Sequence, residues 1–262
     1  MESLSLTLIQ KDIYWESPER NFKAVSNMLE TLKFSSDIII LPEMFNTGFT
    51  KNTSLAEDFN GITMNYLSNE ANKNNAVIAS TIPIKYNNAL YNMFIWMKPD
   101  GTYDFFPKKH LFSIGDEHTV YKAGKDKVVF ECKGWKILPL ICYDLRFPVW
   151  SKNIVKNNEF LYDLIIYTAN WPSSRHSHWE DLLKARAIEN LSYVAACNRT
   201  GTDVHNVSYK GSSMIIAPDG KILANAGETL QKAVHFSLSK TELASYRNSF
   251  PVWKDWDKFE IL

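Results

Sequence analysis

Apolar residues recur along this chain in two rhythms. Short runs rich in β-branched side chains read as strands over residues 4–9, 38–41, 76–80, 91–97, 102–106, 127–131, 135–141, 164–169, 193–198, 212–216, 222–226 and 233–236. Between several of them the spacing widens to that of a helix. Ser17-Pro18-Glu19 reads as an N-cap, a proline at the first helical position and an early acid, after which Phe22, Val25, Met28, Leu29 and Leu32 form one apolar face. Similar signals predict helices near 64–72, 148–156 and 178–190, and the capping box Ser239-Lys240-Thr241-Glu242 opens a short one near Tyr246. The first half alternates strand and helix. By contrast, 91–106 and 212–236 read as antiparallel hairpins turning at Pro99-Asp100-Gly101 and Pro218-Asp219-Gly220. No linker, charge block or repeat divides the chain, which predicts one α/β domain over 1–262. About a dozen strands favour two packed sheets of mixed direction covered by helices over a single open sheet.

Composition narrows the functional classes. Lysine plus arginine and aspartate plus glutamate each number 29, and zero net charge argues against a nucleic-acid binder, which needs a basic surplus. With 45% hydrophobic residues the chain is far from a disordered composition. It is long enough to bury a core without disulfides or a structural metal. Its apolar runs stop well short of the roughly 18–20 residues of a spanning helix, so no membrane association is expected. The N-terminus lacks a basic stretch followed by an apolar one, and a cytoplasmic protein is expected. The three cysteines, Cys132, Cys142 and Cys197, cannot all pair, which fits a reducing compartment.

Three predicted strands end in a reactive side chain. Residues 37–43 run into Glu43, residues 105–110 into Lys108-Lys109-His110, and residues 135–142 into Cys142. Ligands of α/β sheets gather at the carboxyl ends of strands, so an acid, an ammonium and a thiol placed there are candidates for one pocket. Taken singly, each has a plainer explanation as loop acid, surface base or core filler.

The residues around Cys142 add a resemblance. Ile141-Cys142-Tyr143-Asp144-Leu145-Arg146-Phe147-Pro148 resembles the nucleophile motif of the nitrilase, or carbon-nitrogen hydrolase, superfamily; Leu41-Pro42-Glu43 resembles its glutamate motif; Lys108-Lys109-His110-Leu111 resembles its lysine motif, in the register that selects Lys108. The order matches over nearly the whole chain, with Glu117 in the place of the family's second active-site glutamate. Cys142 to Ser151, Ala169-Asn170-Trp171-Pro172 and Ala187-Ile188-Glu189-Asn190 look most like the bacterial omega-amidase branch. The resemblance implies a four-layer α-β-β-α sandwich and a homodimer that uses the segment from about 239 to 262. It also implies a cofactor-free reaction on a small amide: Cys142 as nucleophile, Glu43 as general base and acid, Lys108 and the Tyr143 backbone N–H as oxyanion donors, Glu117 in support.

An omega-amidase must hold a free carboxylate opposite the amide, a task for a guanidinium. Arg175 is the candidate, with Trp171 as a wall; an exposed loop arginine and a packing tryptophan are the alternatives. Asp144 and Arg146 read as an ion pair fixing the turn after Cys142, and Cys132 and Cys197 read as packing. His110, His118, His176 and His178 show no zinc-like ligand spacing, and nucleotide-binding glycine fingerprints are absent, so neither metal nor cofactor is expected. Three rivals stay open: another carbon-nitrogen substrate, a cysteine protease using His110 or His176 as base, and a catalytically silent binding or scaffold protein.

Overall fold

In the computed structural model, which describes residues 3–260, the strands alternate inward and outward side chains as a two-residue period demands. Along β1 (Ser3–Gln10), Leu4, Leu6 and Leu8 face one way; along β2 (Ile38–Ile40), so do Ile38 and Ile40, while Ile39 faces the other. A six-stranded sheet forms when these pair with β3 (Val77–Tyr86), β4 (Ala89–Met97), β5 (Tyr103–Pro107) and the late strand β16 (Lys232–Ser239), in the order β16-β1-β2-β3-β4-β5. Its centre is parallel and its flanks antiparallel.

A second six-stranded sheet repeats that plan. It consists of β6 (Phe130–Cys132), β7 (Trp135–Ile141), β10 (Leu164–Ala169), β11 (Tyr193–Asn198), β14 (Met214–Ile216) and β15 (Ile222–Asn225), ordered β15-β14-β11-β10-β7-β6. Two small hairpins complete the strands: β8 (Val155–Lys156) with β9 (Glu159–Phe160), and β12 (Thr200–Thr202) with β13 (Ser208–Lys210).

The inner faces of the two large sheets share one core, in which Leu6, Ile40 and Trp96 meet Trp135, Ile166 and Tyr193. On the outer side of the first sheet, α1 (Pro18–Glu30) and α2 (Ile62–Asn74) bury Val25, Leu29, Met64 and Leu67 against Ile39, Ile78 and Ile95. On the outer side of the second, α4 (His176–Asn190) buries Trp179, Leu183 and Ala187 against Ile165, Val194 and Ala196. The layers run helix, sheet, sheet, helix, the four-layer sandwich that the family resemblance implies, built from the two packed sheets the strand pattern predicts. The capping box is present at α5 (Lys240–Ser249), where the Ser239 hydroxyl accepts from the Glu242 N–H.

Three local expectations need correction. The helix predicted over 148–156 is a single turn, α3 (Pro148–Ser151), because Lys152 takes up extended backbone and Val155 enters β8. Strand β3 does not stop at Ser80 but runs to Tyr86 and turns at Asn87 and Asn88, both left-handed, as a tight hairpin requires. The hairpin at Pro218-Asp219-Gly220 joins only β14 to β15; residues 233–236 belong to β16, which crosses to the first sheet and pairs with β1.

Candidate active site

The parallel strands at the centre of each sheet deliver their carboxyl ends to a common place. Glu43 follows β2, Cys142 follows β7 and Asn170 follows β10. Lys108 follows β5, where its N–H still donates to the Asn92 carbonyl of β4 at 2.9 Å. Glu117 comes from a short helical turn (Glu117–Thr119), whose carboxylate is fixed by the Phe112 N–H at 2.6 Å.

Glu43, Lys108 and Glu117 are buried, and Lys108 sits between the two carboxylates. Its Nζ lies 2.8 Å from Glu43 Oε1 and 3.0 Å from Glu117 Oε2. Asn92 Nδ2 reinforces the bridge, donating to Glu43 Oε1 at 2.8 Å and Glu117 Oε1 at 2.9 Å. From the opposite sheet, the Asn170 N–H donates to Glu43 Oε2 at 3.0 Å and Asn170 Nδ2 to the Glu43 carbonyl at 2.7 Å. Burial pulls the Lys108 ammonium down, but the charges of Glu117 and Glu43 outweigh it and the net displacement is upward. Burial raises the Glu117 carboxyl against the pull of Lys108. An ammonium held among buried carboxylates is thus locked in its charged form.

Cys142 opens a short helical turn (Cys142–Arg146) with φ +42°, in the left-handed region that a non-glycine residue enters only at a cost. Burial, then the Glu43 charge, raise its thiol well above the ordinary range; Lys108 and the Asn170 N–H act in the opposite sense. These surroundings disfavour the thiolate. Cys142 lines a cavity of about 610 Å³ together with Glu43, Lys108 and Asn170. Arg175 lines the same cavity, half-buried, and its guanidinium has no carboxylate partner among the described residues. Trp171 is buried under the site, donating its indole N–H to the Arg175 carbonyl at 2.7 Å. It borders a side recess of about 30 Å³ shared with Cys142, Tyr143 and Arg175, and is not part of the main cavity wall.

A sequence profile described as Carbon-nitrogen hydrolase matches residues 5–247. The chain belongs to this family. It is 42% identical over 264 residues to the omega-amidase YafV of Escherichia coli strain K12, with 100% of both chains covered. It is 35% identical over 256 residues to the 2-oxoglutaramate amidase of Bacillus subtilis strain 168, covering 96% of each. A solved CN-hydrolase superfamily protein from Xanthomonas campestris, with an arsenic adduct in its active site, superposes with a TM-score of 0.96 at 37% identity over 100% of both chains.

In this carbon-nitrogen hydrolase neither histidine proposed as a protease base lines the Cys142 cavity. His110 Nδ1 lies 2.7 Å from Asp144 Oδ1, with its ring stacked on Phe147 at 3.8 Å. His176 faces Glu180 and Glu228. The expected Asp144–Arg146 ion pair is absent. Asp144 turns inward to accept from His110 and from the Ile141 N–H at 2.9 Å, whereas Arg146 lies over Trp171 at 4.6 Å and contacts His178. Two partners of the glutamates, Asn92 and Asn170, carried no assigned role in sequence. Neither did Trp15, His205, Val207 and Tyr209, which form the outer cavity wall.

Proposed function

We propose that this carbon-nitrogen hydrolase is an omega-amidase, releasing ammonia from dicarboxylate monoamides such as succinamate and 2-oxoglutaramate through a Cys142 thioester, without cofactor or metal. The observation that carries the substrate class is Arg175: a guanidinium on the wall of the cavity that holds the thiol, over the Phe112 ring at 5.6 Å and without a carboxylate partner among the described residues, suited to grip the distal carboxylate in bidentate geometry. The names of the two relatives agree with it.

The chemistry follows from the charges. Because its surroundings disfavour a free thiolate, Glu43 takes the thiol proton as sulfur attacks the amide carbon. Lys108 and the Tyr143 N–H receive the developing oxyanion, a donor of this kind contributing about 3–4 kcal/mol. Glu43 returns the proton to the leaving nitrogen, so that ammonia departs, and then activates the water that hydrolyses the thioester. Glu117 holds Lys108 charged through both steps. The cysteines stand unpaired, which accords with a cytoplasmic enzyme; no helix among the described residues is long and apolar enough to cross a membrane.

Ammonia release from succinamate and 2-oxoglutaramate, with a simple nitrile and an N-carbamoyl amino acid alongside, tests the reading. Release from both monoamides, abolished in Cys142→Ala, is the expected result. Arg175→Ala is expected to raise KM roughly tenfold to a hundredfold while leaving the rate of thiol alkylation unchanged. Turnover of the nitrile or the carbamoyl compound alone overturns the substrate class and retains the nucleophile.

A further inference from the structure

A small dicarboxylate monoamide fills only part of a cavity of about 610 Å³, a volume in the range that encloses far larger ligands. The remainder is a built compartment. One wall is Trp15, just beyond β1. The other is the β12–β13 hairpin, whose turn residues Asp203, His205 and Val207 line the cavity together with Tyr209 of β13; the Trp15 and His205 rings meet edge to face, with centroids 5.2 Å apart.

A buried guanidinium fastens the two walls together. Arg199 is fully buried at the base of the hairpin; its Nη2 donates to Asp12 Oδ1 at 2.7 Å and to the Ile13 carbonyl at 3.3 Å, and its Cζ lies 4.4 Å from the centre of the Tyr209 ring. Gly201 lets Asp12 approach, since a Cβ there would overlap the carboxylate.

The charges at this end are already occupied. Asp203 accepts from the His205 and Val207 N–H groups and from the Tyr209 hydroxyl, at 2.9–3.0 Å. Glu16 accepts from Thr50 and Asn52. Lys51 faces Asp116 at 3.7 Å. Beside the His205 imidazole, which stands edge to face with Trp15, what the compartment offers a ligand is apolar surface: Trp15, Val207 and the Tyr209 ring.

We propose that this compartment admits acyl groups carrying an apolar or aromatic substituent, so that the enzyme hydrolyses substituted monoamides as well as small ones. The inference rests on the amidase reading above, and the reaction is unchanged: the carbon-nitrogen bond breaks, water adds across it, and a carboxylic acid and ammonia leave.

Three probes separate the possibilities: succinamate, a benzyl-substituted succinamate, and 3-phenylpropanamide, which has the ring but no distal carboxylate. Ammonia release by wild type is expected to give kcat/KM for the benzyl compound within about tenfold of succinamate. Val207→Trp, which narrows the compartment, is expected to lower kcat/KM for the benzyl compound at least about tenfold more than for succinamate; an unchanged urea midpoint reports that the variant folds. Turnover of succinamate without the benzyl compound overturns the proposal, as does an equal loss on both substrates in the variant. Turnover of 3-phenylpropanamide and not succinamate, sensitive to Val207→Trp, supports the compartment and overturns the dicarboxylate reading. No release from any probe overturns both.

Discussion

At Cys142 two unfavourable terms coincide. A left-handed backbone at a non-glycine residue costs about 1–2 kcal/mol, and burial with the neighbouring Glu43 charge disfavours the thiolate. Both become intelligible if the proton is to be moved by Glu43 during attack, and a substitution separates that role from scaffolding. Glu43→Gln removes the base, so turnover is expected to fall by at least about a hundredfold. It also removes a negative charge that disfavours the thiolate while Lys108 remains, so iodoacetamide should alkylate Cys142 at lower pH than in wild type. Opposite movements in the ammonia assay and the alkylation profile are the expected pair; an alkylation profile unmoved or shifted upward discards Glu43 as the thiol's electrostatic neighbour. Glu43, Lys108, Glu117 and Cys142 were legible as candidates because each is a rare chemical type in a short, ordered motif. Asn92 and Asn170 were not, since an uncharged amide in a strand or just past one carries no mark until its partners are known. Arg146 misled for a related reason: two-residue spacing suggests a pair, but the helical turn after Cys142 sends Asp144 inward and Arg146 outward.

Elements were readable where one face is apolar, and their ends were not. Pro83 lies inside β3, in the stretch beyond Ser80 that the strand prediction leaves out. Its carbonyl accepts from the Glu57 N–H, so its missing donor faces that loop and costs no bond to β4. Pro139 in β7 lies beyond Ile137, where pairing with β6 has ended. The polar joints between elements were also invisible, and the most consequential is Lys11. It is buried at the end of β1 and donates to Asn21 Oδ1 of α1 at 2.9 Å; Asn21 Nδ2 in turn holds the Tyr14 and Asn46 carbonyls. Burial, then Arg199, lower the amine from 10.5 to about 7. A lowered amine pKa means that the unfolded chain binds this proton more readily than the fold does. The resulting penalty is absent above the unfolded value, grows as pH falls, and is complete below about 7. Lys11→Met is therefore expected to raise stability by up to a few kcal/mol near neutral pH, with the gain fading towards pH ~10. Urea melts at both pH values check it, and a loss of stability at neutral pH shows that the Asn21 bond outweighs the buried charge.

For the whole molecule, the helical layers differ in what they leave uncovered. Beside α3 and α4, Val149 is 54% exposed and Phe259 41%. Both border one surface groove with Lys152, Glu189 and Trp256, the last lying under the Lys152 ammonium at 3.4 Å. This face includes the C-terminal segment that the family resemblance assigns to a homodimer, and a second copy is its proposed occupant. A two-fold interface presents the same patch on both partners, so one substitution acts twice. Placing a carboxylate at Val149 forfeits apolar burial worth about 1.5–3 kcal/mol and adds a charge to desolvate on each side. Val149→Asp is therefore expected to convert a dimer to a monomer at micromolar concentration in sedimentation velocity. Residue 149 lies outside the Cys142 cavity wall, so the thiol's alkylation rate in the monomer should match wild type. A wild-type protein that sediments as a monomer removes the dimer altogether, whereas a dimer unmoved by the substitution transfers the contact to another face of the sandwich.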